Sequence, residues 1–133
     1  MYENVVSEYF GIMQDFLAQP NHSFTYVSAS IPAMPGVYII NDNSKKQIIY
    51  VGRTKNLRRR LMGDHKRGNI EGSQFRKALG QTLGTKSEEE ISEYIRKNCS
   101  FQFLLIPNFQ ETIRLEHFTT AILAPVLNVQ LKQ

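Results

Sequence analysis

Two tyrosines and a run of arginines lie close together in this chain. Tyr38 sits in Pro35-Gly36-Val37-Tyr38-Ile39-Ile40, and Tyr50 sits in Ile48-Ile49-Tyr50-Val51-Gly52. The second run continues directly into Arg53-Thr54-Lys55-Asn56-Leu57-Arg58-Arg59-Arg60-Leu61. A phenol can hold or move a proton, and a guanidinium grips phosphate oxygens in a two-pronged manner. Together these are the groups that attack on a phosphodiester needs. Charge is distributed to match. Arg53, Lys55, Arg58, Arg59, Arg60, Lys66 and Arg67 face only Asp64, while Glu88, Glu89, Glu90 and Glu93 gather elsewhere. Basic charge beside candidate reactive groups points to an anionic substrate. The alternative is a solvated basic helix face.

A helical wheel separates the three adjacent arginines. Arg60 projects beside Leu57 and Leu61, back toward the sheet and the tyrosines, whereas Arg58 and Arg59 project to solvent or substrate. A guanidinium aimed at an apolar layer needs an anion, either a phosphate or a carboxylate. Glu116 poses the converse question. On a helix over 109–123 it projects with Phe109, Ile113, Thr120 and Leu123, so it must be paired, protonated or bound to metal. A single inward carboxylate suits a Mg²⁺ ion that keeps most of its waters and takes other ligands from phosphate. A Glu116–Arg60 salt bridge without metal is the alternative. His65, in a basic loop, could shuttle a proton, touch phosphate or be a plain surface histidine. Asn128, after Pro125-Val126-Leu127, reads by itself as a turn or capping residue. His22, His65, His117 and Cys99 show no metal-ligand spacing.

These groups need elements to place them. Residues 4–18 carry an apolar stripe at helical spacing, with Val5, Tyr9, Ile12, Met13, Phe16 and Leu17. Residues 24–34 form a connector with room for a short strand at Phe24–Val27. Val37–Ile40 and Gln47–Val51 flank the turn cluster Asn41-Asp42-Asn43-Ser44 and read as a hairpin. A register pairing Tyr38 with Tyr50 puts both phenols on one face. Thr54 caps a helix with Leu57 and Leu61 inward, and residues 62–73 read as a loop. Phe75–Leu83 is a helix, and Ser87 with Glu90 is a capping box opening another over 88–98. Phe101–Ile106 is a strand, and the last helix stops before Pro125. The class is α+β, a small sandwich with a mainly antiparallel sheet of about three strands. Residues 1–30 form an N-terminal helix and connector, and residues 31–133 form the main domain.

The 133 residues, 41% hydrophobic and 21% charged with a net charge of +4, fit one globular domain. The single cysteine excludes an internal disulfide framework and fits a reducing, cytoplasmic setting. No apolar run reaches the ~18 residues of a membrane span, and the N-terminus lacks a leader pattern.

The stretch from Gly36 to Leu61 resembles the GIY-YIG nuclease family, with Gly36-Val37-Tyr38 and Tyr50-Val51-Gly52 as its two tripeptides. The second tripeptide and its arginine helix are especially similar to the N-terminal nuclease module of the bacterial excision-repair endonuclease. The family's arginine falls on Arg60, its metal-binding glutamate on Glu116, and its late asparagine on Asn128 in Leu127-Asn128-Val129. Arg53 stands where the repair enzymes usually carry lysine. His65 comes one residue later than the family's usual histidine, with Asp64 at that place. The resemblance implies a Mg²⁺- or Mn²⁺-dependent endonuclease acting on DNA. Tyr38, Tyr50, Arg60 and Glu116 would be catalytic, with Glu116 on the metal. Arg53, Lys55, Arg58, Arg59, His65 and Asn128 would contact substrate. Two other readings stay open: an inactive nucleic-acid-binding module, and a nuclease subunit of a larger repair or recombination assembly. A homodimer or partner contact through the N-terminal helix is also open.

Overall fold

The computed structural model describes residues 1–25 and 30–128. Its centre is the strand β2 (Gly36–Asp42), a nearly continuous apolar run. That composition suits a strand covered on both faces. β2 pairs antiparallel with β3 (Gln47–Thr54) on one side and with β4 (Cys99–Leu105) on the other. A two-residue strand, β1 (His22–Ser23), closes the far edge by pairing with β4, giving the order β1-β4-β2-β3. The sheet therefore has four antiparallel strands rather than about three. The short strand falls on His22–Ser23 rather than on Phe24–Val27, and Phe24 follows it in a turn, buried against Phe101. Tyr26 and Val27 lie outside the described residues.

Alternation along β2 sends side chains to two helical layers. Val37 and Ile39 face α1 (Glu3–Leu17) and α4 (Phe109–Leu123), packing with Tyr9, Phe16, Val51 and Leu115. Tyr38 and Ile40 face α2 (Gln74–Leu83), α3 (Glu88–Asn98) and the helix after Thr54. The stripe of α1 is buried as Tyr9, Met13 and Phe16. Ser87 accepts from the Glu90 N–H at 3.3 Å and caps α3 as its sequence predicts. Asn108 caps α4, which stops at Ala124 in a left-handed conformation before Pro125.

The sequence leaves the hairpin register open, and the structure sets it. Tyr38 stands opposite Gly52, and Tyr50 stands opposite Ile40. Gly52 and Tyr50 are two residues apart, so the phenols still share a face, now as diagonal neighbours. A β-carbon at Gly52 would lie 2.4 Å from the Tyr38 ring, so the ring can lie across that strand only over glycine.

The segment after Thr54 also differs. Leu57–Arg67 is helical throughout, where a loop was expected from residue 62, and Arg59–His65 is wound as a π-helix. Leu61, Met62 and His65 are its buried residues. An i→i+5 turn takes up one residue more than an i→i+4 turn, and such turns recur at functional sites.

Candidate active site

The end of the β2–β3 face, the π-helix and α4 enclose an open cleft of about 960 Å³. It is lined by Tyr38, Tyr50, Arg53, Lys55, Arg59, Arg60, His65, Glu116 and Asn128. Among the residues singled out from sequence, Arg58 is the one outside it. Arg58 Nε donates to the Ile31 carbonyl at 2.7 Å, fastening the π-helix to the connector instead of facing substrate.

The phenols and His65 form one aromatic cluster. The Tyr38 and Tyr50 ring centroids are 6.3 Å apart, and each ring lies within 6 Å of the His65 ring. His65 is not a surface histidine, being only 1% exposed. Its Nε2 lies 2.7 Å from the Tyr38 hydroxyl and its Nδ1 lies 2.7 Å from Ser73 Oγ. His65 is the last residue of the π-helix, and its side chain is buried. Burial, with Arg60 and Arg76 nearby, holds the His65 pKa well below the ordinary histidine value, so the ring is neutral.

Both phenols are neutral too. Burial pushes Tyr38 well above the ordinary tyrosine value. Burial also raises Tyr50, and the attraction of Arg60 and Arg53 only partly offsets it. The two arginines alone do not make Tyr50 a phenolate.

Glu116 sits inward as its helix position predicts, 5% exposed. Its partner is Arg53, at 3.2 Å, rather than Arg60. Only Oε1 is used. Oε2 is buried with no hydrogen-bond partner, and His117 Nε2 stands 3.7 Å away. Burial raises the Glu116 pKa, against the pull of Arg53 and His117. An unsatisfied carboxylate oxygen on a polar cleft wall fits a divalent cation as its missing partner. No group of three or more acidic, histidine or cysteine residues that could hold a metal occurs among the described residues, so the protein would supply few ligands.

Arg60 Nε is buried without a hydrogen bond, and its nearest anion is the Asp64 carboxylate, 3.6 Å away one helical turn on. That long contact leaves the guanidinium able to take a closer anion.

Asn128 has another job than substrate contact. Its Oδ1 accepts from the Val51 N–H at 2.9 Å, and its Nδ2 donates to the Val51 carbonyl at 2.7 Å. The amide thus mimics a strand partner and pins the chain beside Tyr50. Val129 lies outside the described residues.

Ser73 and Arg76 escaped the sequence reading. Ser73 caps α2 by accepting from the Arg76 N–H at 3.1 Å. The Arg76 guanidinium is fully buried and donates to the carbonyls of His65, Lys66 and Glu88 and to Glu88 Oε1 and Ser92 Oγ. A serine two residues before an aromatic helix start was a readable capping signal. Nothing local marked Arg76 as buried.

A family model described as the GIY-YIG catalytic domain matches residues 25–133. The chain belongs to the GIY-YIG nuclease family. The match starts after α1 and β1. UvrABC system protein C of Chlamydia abortus is 32% identical over 102 residues, which is 77% of this chain and 14% of that protein. The same protein from a Synechococcus strain is 33% identical over 103 residues, with the same coverage. This chain therefore spans about 14% of the length of these relatives. Among solved structures, the GIY-YIG N-terminal endonuclease domain of UvrC from Thermotoga maritima, bound to magnesium, is 25% identical with a TM-score of 0.46. It covers 77% of this chain and 91% of that one. The GIY-YIG tripeptides thus have a structural reason here. Gly36 and Gly52 admit backbone and ring at distances no side chain allows: a β-carbon at Gly36 would meet the Leu104 carbonyl oxygen at 2.4 Å.

Proposed function

We propose that this chain is a metal-dependent DNA endonuclease that hydrolyses phosphodiester bonds. One observation carries the reading. Two buried atoms of opposite character, Arg60 Nε and Glu116 Oε2, make no hydrogen bond on the walls of one cleft that also holds both tyrosines, and only Asp64 at 3.6 Å and His117 at 3.7 Å stand near them. A phosphate answers the first and a cation answers the second.

Glu116 would hold Mg²⁺ or Mn²⁺ through its free oxygen. When bound, the metal stabilises charge on the leaving oxygen. Arg60 binds the scissile phosphate and stabilises charge as it develops. Arg53 balances Glu116 and can turn to phosphate, since a third of its side chain is exposed. Lys55 and Arg59 hold neighbouring phosphates at the rim. Tyr50 Oη takes the proton of the attacking water as phenolate. Tyr38, anchored by His65, supports it by hydrogen bonding.

The resemblance to excision-repair proteins supports a place in DNA repair, within the cell and within a larger assembly. Residues 1–30 serve as an added layer on the nuclease unit. The outer face of α1 exposes Tyr2, Val5, Val6 and Phe10, which supports a second copy or a partner protein there. The direct test is cleavage of plasmid, single-stranded and branched DNA with and without Mg²⁺. Magnesium-dependent nicking is expected. Unchanged cleavage in chelator, or none on any DNA, overturns the reading.

A further inference from the structure

Ser73 Oγ meets two nitrogens inside the protein. The Arg76 backbone N–H can only donate, so it occupies one lone pair of the serine oxygen at 3.1 Å. The other nitrogen, His65 Nδ1 at 2.7 Å, either donates or accepts. Ser73 is 1% exposed, and no other acceptor for its hydroxyl proton occurs among the described hydrogen bonds. If Nδ1 carried the ring proton, two N–H groups would converge on Oγ, leaving the serine proton buried and unpaired. That arrangement is costly. If Nδ1 accepts, every group is used.

We infer that Ser73 is a positioning residue: its hydroxyl donates to His65 Nδ1, fixes the Nε2–H tautomer, and so makes the Tyr38 hydroxyl a donor into the cleft. The last link follows from a neutral imidazole having one proton. With that proton on Nε2, the contact at 2.7 Å runs from His65 to the Tyr38 oxygen. Tyr38 must then send its own proton elsewhere, and the open wall beside it is the cleft. Burial beside Arg60 and Arg76 agrees by keeping the ring uncharged. Ser73 is held for this purpose twice over. It caps α2, and the Arg76 side chain on that helix grips the His65 carbonyl at 3.1 Å. The catalytic use of this bond rests on the nuclease reading, whereas the tautomer stands apart from it.

The test uses ¹⁵N-histidine protein and two-bond ¹H–¹⁵N correlation spectra at neutral pH. His22→Gln and His117→Gln variants assign the signals. Wild type should show the Nε2–H pattern for His65. Ser73→Ala should shift it toward Nδ1–H, and Ser73→Thr should restore it. Turnover on DNA should fall about 10-fold in Ser73→Ala, and no further than in Tyr38→Phe, the group through which Ser73 acts, with KM little changed. Ser87→Ala removes the matching cap of α3 and should leave tautomer and turnover alone. An Nδ1–H or charged His65 in the wild type overturns the inference, whatever the variants do. So does a Ser73→Ala protein with wild-type turnover. A wild type that shows Nε2–H yet cuts no DNA overturns the nuclease reading and the catalytic use together, so the two failures stay separate.

Discussion

Burial, more than charge, sets the protonation states of the reacting side chains. Tyr50 is raised above its ordinary value by desolvation, and Arg60 and Arg53 offset only part of this. The active form in the proposed mechanism is the phenolate. Its population therefore rises tenfold per pH unit until the pH nears a pKa above ~10. The logarithm of the cleavage rate should climb with a slope near one from about pH 7 to 9 and show no plateau. A flat profile would count against Tyr50 as the proton acceptor. Tyr50→Phe removes only the oxygen, so turnover should fall by ~10²–10⁴ with the fold intact. Tyr38→Phe should cost less, since its hydroxyl supports the water and does not take its proton. A Tyr50→Phe rate within a few-fold of wild type would mean that the rings matter and the hydroxyls do not. Glu116→Gln keeps volume and loses the charge. Mn²⁺ binding followed by paramagnetic resonance should disappear, while DNA binding survives in a gel-shift assay. Retained metal binding would remove Glu116 from the site.

At the scale of elements, the π-helix redistributes the roles of the arginine run. Arg60→Ala should lower turnover sharply, because its guanidinium lines the cleft and is held only by a 3.6 Å contact with Asp64. Arg59→Ala should mainly weaken binding and flatten its salt dependence. Arg58→Ala should do neither and should instead lower the melting temperature, since its Nε ties the helix to Ile31. Equal kinetic losses at all three would sink this division. Arg76→Leu would strip donors from the carbonyls of His65, Lys66 and Glu88. Unpaired buried carbonyls cost about 1–3 kcal/mol each, so a loss of ~2–4 kcal/mol is expected in urea unfolding after partial relaxation. The sequence made α1, α3, α4 and the hairpin legible, because caps and apolar spacing are local properties. It misplaced the end of the helix after Thr54, because Gly63 and Gly68 look like breakers and π winding has no local signature. It left open the pairing of Tyr38 with Gly52, since register depends on what lies across the sheet. Arg60 and Glu116 were legible as inward charges. The partner of Glu116 was not, because Arg53 reaches it from β3, far away in sequence.

For the whole molecule, two helical layers on one sheet bury Cys99, whose thiol is pushed up to about 12 by desolvation. The native protein should therefore resist thiol reagents at pH 8, and its labelling rate should track unfolding. Rapid labelling would show that the α3–β4 side opens easily. The two rims of the sheet are finished differently. One ends in the two-residue β1, too short to template anything. The other, β3, is a long strand, and its outward backbone groups are taken by Leu127, which donates to the Ile49 carbonyl at 3.0 Å, and by the amide of Asn128 on Val51. The residue that pins the tyrosine strand is thus also a guard against polymerisation. Without it, the N–H and C=O of Val51 stand unpaired on the strand's outer edge and can pair with a strand from a neighbouring molecule, so Asn128→Ala should form sheet-stacked aggregates under conditions in which the wild type stays dispersed.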